Sequence, residues 1–187
     1  MDFIEELRRY CPQNEQEEAD RETIFAYIRA FPDTLLSRKN IFAHMTASSM
    51  IFNAASDKVL MIYHNIFRSW SWTGGHADGE RDLYQTALRE AREETGIRTL
   101  SQIGGGLAAV DVIPVWGHVK RGQYVSAHQH LNFTYLLRAE EKEALRIKED
   151  ENSRVGWLPV SRLEEFVSEP DMLPIYEKLI GREKKWK

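Results

Sequence analysis

The sequence predicts a protein of the α/β (α+β) class: a mixed β-sheet held between helices, with a helical extension in front of it. Three observations predict this. Runs of β-branched and apolar residues recur at 43–53, 58–63, 69–72, 107–116, 124–138 and 155–158. Helix-period stretches between Asp82 and Gly96 and from Asp171 to Ile180 interleave with them, the element order that packs helices on a sheet. Hydrophobic residues make up 42% and charged residues 29% of the chain, a globular rather than a disordered balance. The 187 residues suffice for one core, so a single domain over 1–187 is expected, with residues 1–36 as the extension and 40–181 as the core.

Phe3, Ile4, Leu7 and Cys11 follow helical spacing until Pro12 ends the first helix. Asn14 and Glu17 have the spacing of an N-cap and its reciprocal partner. Ile24, Tyr27, Ile28 and Phe31 then form a second apolar stripe, stopped by Pro32. These stripes carry no catalytic motif and need a partner surface, either the core or a dimer contact. Residues 43–53 and 58–63 read as a hairpin around Asn53-Ala54-Ala55-Ser56-Asp57. Alternation in Ser69-Trp70-Ser71-Trp72 places Trp70 and Trp72 on one face, where packing in the core is the usual use and stacking on a base the other. Gly104-Gly105-Gly106 lacks the Gly-Lys-Ser/Thr of a phosphate loop and reads as a turn. Strands at 107–116 and 124–138 flank a turn at Lys120-Arg121-Gly122-Gln123. Residues 139–146 are helix-favouring, and 155–158 form a last strand. Ser161 and Glu164 suggest a capped helix through Phe166, and a final helix from Asp171 is expected to close at Gly181, leaving the basic tail 182–187 frayed.

The chain is organised around residues 75–97, a glycine loop, an amphipathic helix and a glycine stop. Asp82 suits the N-cap and Gly96 the left-handed C-terminal position. Leu83, Tyr84, Ala87, Leu88 and Ala91 fall on one arc, and Glu90, Glu93 and Glu94 on a neighbouring one, at i, i+3 and i+4. Carboxylates this close repel, the more so when partly buried, and a divalent cation with oxygen ligands relieves the repulsion. Arg89 lies four residues before Glu93 and has the spacing to pair with it. For an isolated Glu-x-x-Glu-Glu, a solvated acidic face is the ordinary reading.

The wider spacing points further. Gly75, then 76–80, position 81, 82–88, and Arg89-Glu90-Ala91-Arg92-Glu93-Glu94-Thr95-Gly96-Ile97 together resemble the Nudix hydrolase signature. One position departs, since the family has Glu where this chain has Arg81, between Glu80 and Asp82. The resemblance implies an α/β/α sandwich and a metal-dependent hydrolase that cleaves a diphosphate linkage in a nucleoside diphosphate derivative. It implies Mg²⁺ or Mn²⁺ on Glu90, Glu93 and Glu94, with Arg89 holding the carboxylates. Gly75, His76, Trp72 and His130 are the candidates for substrate contact. An acid outside the signature often adds to the site in such proteins, and Glu80, Glu149, Asp150 and Glu151 are candidates. Pro114 lies near a proline that accompanies ADP-ribose hydrolysis in some members, a lean toward ADP-ribose-like or nucleotide-sugar-like substrates. Two rivals remain: a nucleotide-binding sensor whose catalysis is weakened at Arg81, and a diphosphate isomerase, whose catalytic cysteine is not matched by Cys11.

Other chemistry finds less support. His128 and His130 face the same way on a strand, but no third ligand is adjacent, so a structural or substrate-contact role is expected rather than zinc. No Gly-x-Ser-x-Gly elbow is present. One cysteine excludes an intrachain disulfide. A net charge of −4 gives no global pull toward nucleic acid and argues against it as a partner. No apolar run approaches the roughly 18 residues of a membrane span, and the acidic start Met1-Asp2-Phe3-Ile4-Glu5-Glu6 lacks a signal peptide's basic region. A cytoplasmic protein acting on a small molecule is expected, with a homodimer as a candidate assembly.

Overall fold

The computed structural model describes residues 1–120 and 122–186. Two helices come first, α1 (Phe3–Arg9) and α2 (Glu15–Ala30). Asp2 caps α1 by accepting the Ile4 N–H at 2.9 Å. Asn14 caps α2 by accepting the Glu17 N–H at 2.8 Å, and Glu17 reaches back to the N–H of Gln13, one residue before the expected partner. The apolar stripes find their partner within the chain. Phe3, Leu7, Tyr10 and Ile24 are buried in one cluster with Met45, Ala47, Leu83, Ala87, Phe133 and Tyr135.

The strands follow as β1 (Ala43–Phe52), β2 (Lys58–His64), β3 (Ser69–Ser71) and β4 (Thr73–His76), and then helix α3 (Leu83–Thr95). Beyond it come β5 (Ser101–Gln102), β6 (Ala109–Val115), β7 (His118–Lys120), β8 (Gln123–Val125), β9 (His128–Arg138), β10 (Asn152–Pro159) and helix α4 (Leu173–Lys185). Among the described residues the main sheet has the order β10-β2-β1-β9-β5, with β3 on β2, β4 on β1 and β6 on β9. β1 and β9 run parallel and the other pairs antiparallel, so the sheet is mixed. β7 and β8 form a separate ribbon.

β1 is buried along its whole length, and strand alternation divides its side chains between two layers. Met45 and Ala47 pack toward α1, α2 and α3. Met50 and Phe52 pack with Met61, Leu136 and the α4 residues Tyr176 and Leu179. Trp72 belongs to this second cluster, edge-on to Tyr176 with ring centroids 5.3 Å apart. That is the core role, and it removes the indole from the surface offered to a substrate.

Several local expectations fail for tertiary reasons. Residues 139–146 form no helix. Their polar groups instead seal the end of α3: the Glu143 carboxylate accepts the Arg98 and Thr99 N–H groups, and Arg146 N–H donates to Thr95 O at 2.8 Å. The long strand expected at 124–138 is divided at residues 126–127 into β8 and β9. Ser161 caps nothing, because Val160–Glu165 is a 3₁₀ segment behind Pro159, broken at Arg162. α4 passes through Gly181 and runs to Lys185. The tail does not fray, because Arg182 and Glu183 are buried on ion pairs with Glu17 and Arg138. Arg121 of the expected turn and Lys187 of the tail lie outside the described residues.

Candidate functional site

The site begins where β4 hands the chain to α3. Asp82 caps α3 and Gly96 closes it in the left-handed conformation at φ +80°, as the local sequence requires. Leu83, Ala87, Leu88 and Ala91 are buried against the sheet. Glu90 and Glu94 are therefore carried inward, to 7% and 2% exposure, while Glu93 stays at the surface. Gly75 makes this approach possible, since a Cβ there would lie 2.4 Å from the Glu90 carboxyl carbon. Gly74 donates its N–H to the Glu94 carboxylate at 2.9 Å. The glycine pair thus both admits one carboxylate and orients the other.

Burial raises the pKa of Glu90, against the pull of Arg89 and Lys148. Burial raises that of Glu94 strongly, Glu90 and Glu151 add to the rise, and the Gly74 N–H opposes it. Arg89 reaches Glu90 at 2.9 Å and the His76 carbonyl at 3.5 Å. Its partner is the adjacent Glu90 rather than the expected Glu93, because the loop carbonyl holds the guanidinium on that side.

The sequence gives little hint of what stands opposite α3. Lys148 places its ammonium 3.1 Å from Glu93, 3.1 Å from Glu151 and 3.9 Å from Glu90. Asn152, fully buried, holds this loop in place: its Oδ1 accepts the Lys148 N–H at 3.2 Å and its Nδ2 donates to Glu94 O at 3.1 Å. Of the extra acids, Glu151 joins the cluster, whereas Glu149 and Asp150 are exposed beside it. Glu80 accepts the Asp82 N–H at 2.8 Å and so shapes the loop. Arg81 turns away from the carboxylates, bonding Asp2 at 2.6 Å and covering the Phe3 ring at 5.3 Å.

Glu90, Glu93 and Glu151 place hard oxygen donors around the Lys148 ammonium, and Glu94, held by the Gly74 N–H, lies one helical turn beyond Glu90. Their excess negative charge, set against Lys148 and Arg89, suits a divalent ion with oxygen ligands. His76 and His130 lie elsewhere. Gly75 faces Glu90, so the neighbouring His76 side chain points to the opposite face of β4. There its ring is 5.0 Å from that of His130. Cys11 is exposed in the link between α1 and α2 and offers nothing to an isomerase site.

The NUDIX domain family model matches residues 43–179, and the chain belongs to the Nudix family. As a Nudix pyrophosphohydrolase it acts on acid anhydrides. A protein of Lactococcus lactis subsp. cremoris (strain MG1363), named "Probable DHNTP pyrophosphohydrolase", is 27% identical over 143 residues, covering 76% of this chain and 81% of its own. Among solved structures, a MutT protein from Methanosarcina mazei Go1 aligns at TM-score 0.58 and 15% identity, over 77% of this chain and 96% of that one. The NUDIX domain of Shewanella oneidensis NrtR, solved with ADP ribose, aligns at TM-score 0.54 and 19% identity, over 97% of this chain and 99% of that one. At these identities the two structures establish the fold. Among the described residues, no helix is long and apolar enough to cross a membrane.

Proposed function

We propose that this protein hydrolyses the diphosphate linkage of a nucleoside diphosphate derivative with a divalent metal ion, Mg²⁺ or Mn²⁺, held by Glu90, Glu93, Glu94 and Glu151. The observation that carries the reading is the inward turn of Glu90 and Glu94 beside Gly74 and Gly75, with Glu93 and Glu151 completing the array. Such an ion neutralises the diphosphate, orients it and lowers the pKa of an attacking water. The chain's own groups prepare the place. The Gly74 N–H fixes the Glu94 carboxylate and Arg89 fixes that of Glu90. Lys148 would give up its contacts with the carboxylates to such an ion, which would leave its ammonium for the substrate phosphates. In the hydrolysis the water oxygen bonds to phosphorus and its proton passes to solvent, the bridging P–O bond breaks with its electron pair going to the bridging oxygen, and two phosphate-bearing products leave.

The ADP-ribose ligand of the Shewanella domain and the DHNTP of the Lactococcus protein's name support a phosphoanhydride next to a bulky organic group. Within that class, ADP-ribose-like and nucleotide-sugar-like compounds are the first to test. The reading takes residues 1–187 as one cytoplasmic domain. It extends to a homodimer, supported by Trp116, Val119 and Tyr124, exposed at 77%, 63% and 74% around the β7–β8 ribbon, and sedimentation velocity tests that part.

A panel of nucleoside diphosphate derivatives and triphosphates, assayed with Mg²⁺ and Mn²⁺ by phosphate release, tests the activity, with a phosphatase coupled for products that are monoesters. Turnover that depends on the metal supports the proposal. A second reading, a nucleotide sensor with weakened catalysis, is favoured by one observation, the Lys148 ammonium standing among the carboxylates. Tight binding without turnover across the panel selects that reading.

A further inference from the structure

On the face of β4 opposite Glu90, the fold gathers histidines that are far apart in the sequence. His44 lies on β1 and pairs in register with His130 on β9. His76 on β4 pairs with Thr46, two residues along β1 from His44 and therefore on the same face. The His44 ring stands 4.8 Å from that of His76, 4.8 Å from His128 and 5.1 Å from His130. One ring nitrogen from each of His44, His76 and His130 lies within 4.8 Å of the other two.

His44 is 5% exposed, and its Nε2 is buried with no hydrogen-bond partner. Leaving a buried polar atom unmet costs free energy, so such an atom needs an explanation. Its other nitrogen, Nδ1, lies 3.2 Å from the Asn40 carbonyl. A carbonyl only accepts, so Nδ1 carries the proton and Nε2 the lone pair. This is the arrangement of a metal-binding histidine, with a carbonyl fixing tautomer and ring orientation. Asn40 is itself tied down, accepting the Phe42 and Ala43 N–H groups and donating to Thr34. His128 repeats the device at the rim, with its Nδ1 2.8 Å from the Ser126 carbonyl.

We propose that His44, His76 and His130 bind a borderline divalent cation of the Zn²⁺ class, in a second site separate from the carboxylates of α3. Imidazole nitrogen suits Zn²⁺, Cu²⁺ and Ni²⁺, whereas Mg²⁺ prefers oxygen. Zn–N bonds of about 2.0–2.1 Å in tetrahedral geometry bring ligand nitrogens to about 3.3 Å. The three ring nitrogens need to close by up to about 1.5 Å from their present spacing of 4.8 Å or less. Three protein ligands would leave a fourth position for water or an anion. The site joins β1, β4 and β9 and anchors His76 one residue from Gly75.

The test uses the full chain, stripped with a chelator and titrated calorimetrically with Zn²⁺ in excess Mg²⁺, so that oxygen sites are filled. Co²⁺ in place of Zn²⁺ adds a visible spectrum that reports nitrogen ligands and tetrahedral geometry. The expected result is one tight equivalent in the wild type. Losing a carbonyl that orients a ligand costs about 10–100-fold in affinity, so His76→Gln and His130→Gln, which lose a ligand outright, are each expected to weaken binding by at least about 100-fold. Glu93→Gln is expected to leave it unchanged. His44 is buried and its variant is at risk of misfolding, so the two half-buried histidines carry the test, with circular dichroism confirming their fold. No binding at micromolar Zn²⁺, binding indifferent to both histidine variants, or binding lost in Glu93→Gln each overturns the proposal. None of these outcomes bears on phosphoanhydride turnover, which is measured separately.

Discussion

Arg182→Met is expected to destabilise the protein by about 3–5 kcal/mol, the range for a buried ion pair that loses one member. The pair joins the two ends of the described chain. Glu17 on α2 is fully buried and Arg182 on α4 is 6% exposed, with contacts at 2.9 and 3.1 Å. Arg182 also donates to the Tyr10 hydroxyl at 3.0 Å, and Lys178 approaches Glu17 at 3.3 Å. Methionine keeps much of the volume but leaves Glu17 without its main partner. At about 2–4 °C per kcal/mol for a chain of this size, the melting temperature falls by roughly 6–20 °C. Glu17→Met combined with Arg182→Met removes both charges, leaves Lys178 on Asp111 at 2.6 Å, and is expected to recover most of the loss. Acidity gives an independent check. Burial pushes the Glu17 carboxyl up, but the bonds from Arg182, Tyr10 and Gln13 outweigh it and the net pKa is lowered. A lowered carboxylate contributes stability that is present above its ordinary pKa, near 4.3, and is lost as pH falls through the folded value. Urea unfolding at neutral pH and below about pH 4 is expected to show the wild-type advantage over the double variant shrinking in acid. A single-variant loss under about 1 kcal/mol, or a double variant as unstable as the sum of the singles, refutes the argument.

Other expectations follow from the site. Gly75→Ala drives a methyl group into the Glu90 carboxyl and is expected to cut turnover about 100-fold, the scale of a 1 Å misplacement, with little change in the far-ultraviolet circular dichroism. Glu93→Gln and Glu94→Gln are each expected to lower kcat by two or more orders of magnitude, roughly the cost of losing an electrostatic catalytic group, and near-wild-type rates would remove them from the metal site. Lys148→Met deletes the competing ammonium and is expected to tighten Mn²⁺ binding, read by electron paramagnetic resonance, while raising KM if Lys148 turns to the phosphates. Arg81→Ala breaks the exposed bond to Asp2 and is expected to cost no more than about 1 kcal/mol and to leave Mn²⁺ affinity unchanged.

Helix α3 was legible because its determinants are local. Asp82, Gly96 and the apolar arc lie within one short stretch, and each acts on backbone groups a few residues away. Gly75 was legible as a site of close approach, although what approaches it was not. Arg89 was assigned to Glu93 on helical spacing, and a carbonyl from the glycine loop drew it to Glu90 instead. Lys148 and Asn152 could not be read as site residues, since Lys148 meets Glu93 across 55 positions, through the pairing of β10 with β2. An asparagine opening a strand after a charged run was the one available signal. The histidines show the same limit. Alternation revealed His128 and His130 as a pair, but the third and fourth rings come from β1 and β4, and only strand register brings them in. Helix propensity at 139–146 and basic character at 182–186 are local signals, and both yield to distant claims, the α3 terminus on the first and the buried Glu17 on the second.

The Glu17–Arg182 contact also bears on the order in which the chain can close during synthesis. The two residues are separated by 165 positions. At about 5–20 residues per second, Arg182 is synthesised roughly 8–30 s after Glu17. During that interval α2 carries a carboxylate whose burial has no compensating guanidinium, so the first two helices have reason to stay undocked while the sheet assembles. The parallel pairing of β1 with β9 likewise waits for residue 138, and contacts of such sequence separation form slowly. Burying the Glu17 carboxylate with its guanidinium partner thus requires α4, which acts as the latch for α2. A ribosome stalled before residue 182 would hold a chain whose N-terminal helices remain open to protease.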